Sequence, residues 1–209
     1  MVDMFQSNNF FVYLFNSVFM SVGAVLIALV VSFLAAYSFS RFRPKGTDFI
    51  MFLLLSMRMV PAAATIVPIY LMYSAFGWRN SYWSMTLFYA MFSIPFSVWI
   101  LKGFMDGISR RFDETALVNG ASRFHIMFRV ILPQVKPGLV AAFVFNMIFV
   151  WNEFLFNFII GGNKVTTIPV ALSVGLYTST GVQWSFIASL SLVYTLPLVI
   201  AIFFFQKYL

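Results

Sequence analysis

Cysteine is absent from this 209-residue chain, and histidine occurs once. Disulfides, thiolate metal sites and cysteine nucleophiles are thereby excluded. The lone His125 leaves no metal cluster or catalytic triad to build, and it reads as a surface or packing residue. Charge is scarce as well. Asp, Glu, Lys and Arg make up 9% of the residues, against about 25% in an ordinary soluble domain. Apolar side chains take their place, at 62% of the total with 20% aromatic, and mean hydropathy is +0.93. Even a 150-residue soluble domain buries only about 70% of its surface. A soluble enzyme, a disordered tail and a disulfide scaffold are therefore excluded. There is no Gly-x-x-x-x-Gly-Lys-Ser/Thr phosphate loop, so the chain has no ATP site of its own. No catalytic residue, metal or resident cofactor is assigned. What remains is an integral membrane protein.

A helix needs about 20 apolar residues to cross about 30 Å of hydrocarbon. Residues 10–39, 49–73, 81–101, 138–160 and 184–206 qualify. These runs are too long, and alternate too little, for barrel strands. The expected fold class is all-α, a polytopic transmembrane helical bundle of five spans forming one domain over residues 1–209.

The net charge of +7 would suggest nucleic acid for a soluble chain. Its placement gives another reading. If the spans alternate, Arg41, Arg43, Lys45, Lys102, Arg110, Arg111, Arg123, Arg129, Lys136 and Lys207 share one side. Only Arg79 and Lys164 lie opposite, and Arg58 falls inside a span. Lys and Arg near span ends mark the cytoplasmic face. The C-terminus is thus cytoplasmic, the N-terminus outside, and no nucleic acid is expected. Residues 1–9 lack the basic and apolar regions of a signal peptide. An N-out first helix without a signal is uncommon, so a further upstream helix is expected, six spans in all.

Two linkers are long, the cytoplasmic 102–137 and the external 161–183. Unstructured loops above about 12–15 residues are usually functional or disordered. The cytoplasmic one reads as two short helices. Ser109 caps a run over 110–118 that stops at Asn119-Gly120, with Gly suited to a left-handed C-terminal position. Ser122 caps a second run over 123–132, which Pro133 ends. Phe112, Ala116 and Leu117 give the first run an apolar face beside Asp113 and Glu114. Such a helix either rests on lipid headgroups or docks into a protein cleft. The acidic pair disfavours an anionic lipid surface, and the small Ala116 and Gly120 permit close docking.

The residues of this loop carry a family resemblance. Asp113-Glu114-Thr115-Ala116-Leu117-Val118-Asn119-Gly120-Ala121-Ser122, followed after Arg129 by Val130-Ile131-Leu132-Pro133, resembles the EAA loop of type I ATP-binding-cassette importer permeases. Glu114, Ala116, Gly120, Leu132 and Pro133 match the pattern. Thr115, Val130 and Asn119 depart from it mildly. Tyr37-Ser38-Phe39-Ser40-Arg41-Phe42, Met59-Val60-Pro61, Ile66-Val67-Pro68-Ile69-Tyr70, Trp151-Asn152-Glu153-Phe154 and Thr167-Ile168-Pro169-Val170 are similar to segments of the maltose-type carbohydrate branch. The likeness runs from about Asn16 onward.

The resemblance implies a bacterial plasma (inner) membrane protein that pairs with a homologous second permease. It also implies a dimer of cytoplasmic ATPase subunits, which bind the ATP and Mg, and an extracytoplasmic solute-binding protein. Asp113, Glu114, Thr115, Ala116, Asn119, Gly120, Ala121, Leu132 and Pro133 would form the ATPase-coupling element. Branch members usually carry one more helix at the front and a short tail behind.

Polar groups inside the spans are the remaining signal. Arg58 lies about 15 Å into the second span at 1.5 Å per residue, where a cation is costly and faces a cavity or a partner. Snorkelling is the competing reading, and escape from that depth is hard. Pro61 and Pro68 can kink the same helix. Asn146, Glu153 and Asn157, at i, i+7 and i+11, fall on one face of the fourth helix, with Asn152 beside them. They serve either the solute path or hydrogen bonding between helices. The external loop either reaches a binding protein or caps the bundle. An ion-coupled secondary transporter or channel using Arg58 and Glu153 is the alternative from another class, and a non-transporting membrane scaffold is a third.

Overall fold

A computed structural model describes residues 9–175 and 184–206, and all regular structure among them is helical. Helix α1 (Asn9–Arg41) is followed by α2 (Thr47–Met57), α3 (Ala62–Ala75) and α4 (Tyr82–Asp106). The short α5 (Arg111–Val118) comes next. The rod α6 (Arg123–Trp151) contains a π-helical stretch at Ile126–Ile131. The short α7 (Ile168–Gly175) packs on the bundle, and α8 (Trp184–Phe205) is the last long helix. By length and composition, α1, α4, α6 and α8 can each cross a membrane, and the bent pair α2–α3 has the composition of a broken span or a re-entrant loop.

Helix α1 packs chiefly along α4, and α6 lies against both. Two apolar clusters stack along this three-helix seam. The outer one holds Met20, Val25, Met85, Phe88, Tyr89 and Val150. The cytoplasmic one holds Phe33, Tyr37, Leu101, Met105, Ile126 and Ile131. In lipid the hydrophobic effect does not drive helices together, so close packing and interhelical hydrogen bonds must. The buried polar residues supply them. Ser32 Oγ donates to the Ile94 carbonyl at 3.2 Å, and Asn146 Nδ2 donates to Ser97 Oγ at 2.8 Å. The opposite faces carry bare apolar side chains such as Phe49, Phe52, Phe203 and Phe204, a surface only a bilayer or another membrane subunit can cover.

The structure corrects the expected span at 49–73. It is broken, with α2 and α3 meeting at 89°. Pro61 has no N–H and biases Val60 away from helical geometry, so the chain leaves the helix at Arg58 and restarts at Ala62. The second cytoplasmic helix is corrected too. Pro133 does not end it; 123–132 runs straight into the fourth span as one rod. The π-helical stretch just before Pro133 shifts the hydrogen-bond register, which accommodates the missing donor.

The span expected at 138–160 is corrected likewise. Its helix begins well before 138 and stops at Trp151. Residues 152–154 are non-helical, and helix resumes over 155–161. Asn146, Glu153 and Asn157 therefore do not share one continuous helical face. The clamp at this break is specific. Trp151 Nε1 donates to the Tyr194 carbonyl at 3.1 Å, and Tyr194 Oη donates back to the Trp151 carbonyl at 3.0 Å. The two rings stack at 5.7 Å, which fixes α8 to the end of α6.

Candidate functional site

The linker between α4 and α6 forms an anchored helix closed at its C-terminal end. At the front of α5, the Arg111 amide donates to Ser109 Oγ at 3.4 Å. At its end Gly120 adopts φ +79°. The Gly120 amide donates to the Leu117 carbonyl at 2.9 Å and the Ala121 amide to the Ala116 carbonyl at 3.0 Å. This bond pair is a Schellman closure, which needs a left-handed residue where Gly120 stands. Asn119 Nδ2 adds a bond to the Thr115 carbonyl at 2.8 Å. Ser122 then caps α6 by accepting from the His125 amide at 3.2 Å.

The two faces of α5 differ sharply. Ala116, Ala121 and Leu132 pack on the cytoplasmic apolar cluster. Asp113 also turns inward, where its Oδ2 lies 3.1 Å from Arg41 Nε. Arg41 Nη1 and Nη2 donate to the Met105 and Ile108 carbonyls, each at 3.2 Å. Arg110 Nη2 donates to the Ser40 carbonyl at 3.0 Å. Glu114, Thr115 and Gly120 face outward, as do Phe112, Leu117 and Val118, the last 89% exposed. Pro133 is exposed farther along the rod. The result is a short rigid helix with an apolar, acidic outer face, locked from behind to the ends of α1 and α4. Arg41 stands out in the sequence only as one of several basic residues at span ends, because its partner lies in another element.

The second candidate region is a cavity of about 660 Å³ beside the α2–α3 break. Arg58, Tyr89, Phe92, Phe149, Asn152 and Glu153 line it, with other apolar residues. Glu153 sits in the non-helical gap after α6. Its Oε2 accepts from Tyr89 Oη at 2.7 Å and from the Asn157 amide at 3.2 Å, and its Oε1 accepts from the Phe156 amide at 2.8 Å. A carboxylate thus caps the restarted helix, the favoured place for negative charge. Arg58 lies between two rings, its guanidinium carbon 5.0 Å from the Phe96 centroid and 4.5 Å from that of Phe149. Among the described residues the ion pairs are Arg41–Asp113 and Lys102–Asp106; Arg58 and Glu153 do not form one.

The remaining polar span residues do not line this cavity. Asn146 is fully buried between α4 and α6. Asn157 ties the restarted helix to the external segment, donating to the Val165 carbonyl at 3.0 Å and accepting from the Thr167 amide at 3.0 Å. That segment folds onto the bundle. Asn16 Nδ2 donates to the Lys164 and Thr166 carbonyls at 3.1 and 2.9 Å, and Ser17 Oγ accepts from the Ile168 amide at 2.9 Å. The outer part of the expected external loop, 176–183, lies outside the described residues.

A helical bundle with four long apolar helices, a bent apolar pair beside a half-open cavity and an anchored loop helix defines a membrane-embedded protein. Comparison with known proteins gives the family. The model for the binding-protein-dependent transport system inner membrane component matches residues 28–209, and the chain belongs to that family. The trehalose/maltose transport system permease protein MalG of Thermococcus litoralis is 30% identical over 198 residues, which cover 94% of this chain and 71% of that protein. The probable ABC transporter permease protein YurM of Bacillus subtilis is 31% identical over 197 residues, covering 94% of this chain and 65% of that one. Among solved structures, a chain of a bacterial ABC transporter involved in the import of the acidic polysaccharide alginate superposes with TM-score 0.81. That match covers 99% of this chain and 77% of the other at 20% identity. The fold is that of the type I importer permeases.

Proposed function

We propose that this chain forms, with a homologous second permease, the membrane pathway of an ATP-binding-cassette importer for a carbohydrate-type solute. An extracytoplasmic solute-binding protein delivers the solute. Two cytoplasmic ATPase subunits hold the ATP and Mg and hydrolyse the nucleotide, and this chain contributes no catalytic group. It lies in the bacterial inner membrane with its C-terminus in the cytoplasm, in keeping with the basic residues gathered on that side.

One observation carries the reading, the anchored α5 helix. Its outer face, with Phe112, Glu114, Leu117 and Val118, is shaped to enter a cleft on the ATPase, and Glu114 is its charged contact. Its inner face is fixed through Asp113, Ala116 and Ala121 to α1, α4 and α6. Closure of the ATPase dimer then moves the helix and the spans behind it together. The printed names of relatives, trehalose/maltose and diacetylchitobiose permeases, support the carbohydrate class. Arg58, Asn152 and Glu153 line the path.

The test is purification in mild detergent followed by reconstitution with the binding protein. A stoichiometric ATPase is expected to copurify, and its hydrolysis to rise when a saccharide is added. Recovery without any ATPase, together with uptake driven by an ion gradient, would overturn the reading in favour of a secondary transporter.

A further inference from the structure

We infer that the cavity at the α2–α3 break binds an anionic group of the solute, a sugar carboxylate, and that Arg58 is its receptor. This rests on the carbohydrate-importer reading and narrows its solute class. The argument is one of unmatched charge. A guanidinium carries five N–H donors and cannot lose its proton. In Arg58 the neighbours are the Phe96 and Phe149 rings, which attract a cation but offer no carboxylate or carbonyl oxygen. The one carboxylate in the cavity, Glu153, is already engaged by the Tyr89 hydroxyl and by the Phe156 and Asn157 amides. The other described acidic residues, Asp48, Asp106, Asp113 and Glu114, lie at the cytoplasmic side.

The cavity thus offers positive charge with no acidic partner among the described residues, set against two aromatic rings. It is about 660 Å³, within the usual range of small-molecule sites. Its lining suits an acidic sugar. Phe92, Phe149 and Phe154 give apolar ring faces, and Asn152 gives an amide for hydroxyls. The Arg58 fork matches a planar carboxylate in bidentate fashion. A single guanidinium with no second cation beside it suits a monoanionic carboxylate better than a phosphate dianion.

Saturation-transfer NMR on the detergent-solubilised permease–ATPase complex tests this without the binding protein. The probes are digalacturonate and a neutral galactose disaccharide of the same linkage. Stronger transfer to the acid is expected in the wild type. Arg58→Gln should weaken binding of the acid about tenfold or more, the scale of losing a charged hydrogen bond, and binding of the neutral sugar much less. Arg58→Lys should keep part of the preference. Equal transfer to both probes in the wild type, or an acid preference that survives in Arg58→Gln, would overturn the assignment while the importer reading stands. An Arg58→Gln complex that loses its second permease would make Arg58 an interface residue, which also overturns it. Absence of any copurifying ATPase is the separate failure that sinks the importer reading itself.

Discussion

Arg41 Nε lies 3.1 Å from Asp113 Oδ2, and the two side chains are only 5% and 8% exposed. Neither Nε nor the Asp113 oxygens make an aligned hydrogen bond, so charge alone joins them. The other guanidinium nitrogens bond to the Met105 and Ile108 carbonyls. One side chain therefore holds the last residue of α1, the end of α4 and the first turn of α5. An enclosed pair is screened little by salt. The contact ties α5 mechanically to α1 and α4.

Arg41→Ala leaves the Asp113 carboxylate enclosed without a countercharge. Removing one partner of a buried pair costs about 3–5 kcal/mol, and two carbonyls lose donors as well. The expected result is a clear fall in the melting temperature of the solubilised protein, followed by intrinsic tryptophan fluorescence. Arg41→Lys keeps the charge but not the fork, and should fall between. An Arg41→Ala protein that melts with the wild type would show that the pair does not anchor α5.

Gly120 separates a backbone requirement from a steric one. A Cβ added there meets nothing within 4 Å, yet φ is +79°. Gly120→Ala should therefore cost about 1–2 kcal/mol from the left-handed backbone alone, and Gly120→Asn less, because Asn tolerates that region. Melting curves of the two variants check this. Gly120→Leu adds bulk on the outer face and should lose solute-stimulated ATPase activity beyond the stability effect. If Gly120→Leu couples as well as Gly120→Ala, the partner does not approach closely at this point.

The α5 helix was legible because its signals are local. Asn119-Gly120 closes it and Ser122 caps the helix that follows, chemistry that needs no distant partner. The anchor at Arg41 was not legible, because its value comes from three elements meeting at one guanidinium. Hydropathy located the long apolar helices but treated each run as one straight crossing. It adds residues without direction, so the right-angle break at Arg58–Pro61 leaves it unchanged, although Pro61 signals a kink. The shared face assigned to Asn146, Glu153 and Asn157 assumed an unbroken helix. The gap at 152–154 sends Asn146 to Ser97, Glu153 to a helix cap beside the cavity and Asn157 to the external segment. Pro133 was read as a stop, yet a π-helical register absorbed it.

Glu153 and Tyr89 form the polar tie between α4 and the restarted helix, 2.7 Å apart. Tyr89→Phe removes the donor and leaves the two backbone contacts of the carboxylate in place. A loss of about 1.5–3 kcal/mol is expected for a hydrogen bond to a charged group. Glu153→Ala also uncaps the Phe156 and Asn157 amides and should cost more. A double-mutant cycle with both changes should show strong coupling, since each removes the same contact. Additive effects in chemical or thermal unfolding would mean that the two side chains act separately.

Gly138 tests how closely α6 approaches α4. A Cβ built there would stand 2.6 Å from Phe104 Cγ, 2.8 Å from Cδ2 and 2.9 Å from Cβ. The last of these is the root of the Phe104 side chain, so rotating the ring does not relieve the clash. Gly138→Ala must push the two helices apart, and such overpacking costs about 1–3 kcal/mol. Gly103, on α4, is the matched control, because an added Cβ meets nothing within 4 Å. Gly103→Ala should raise stability by about 0.5–1 kcal/mol, the usual gain from replacing glycine inside a helix. Opposite shifts in melting temperature are therefore expected from the same chemical change. Gly138→Ala made in a Phe104→Gly background should cost little, since all three atoms that block the Cβ are gone. Failure of that rescue would place the conflict in the backbone of α6 rather than at Phe104.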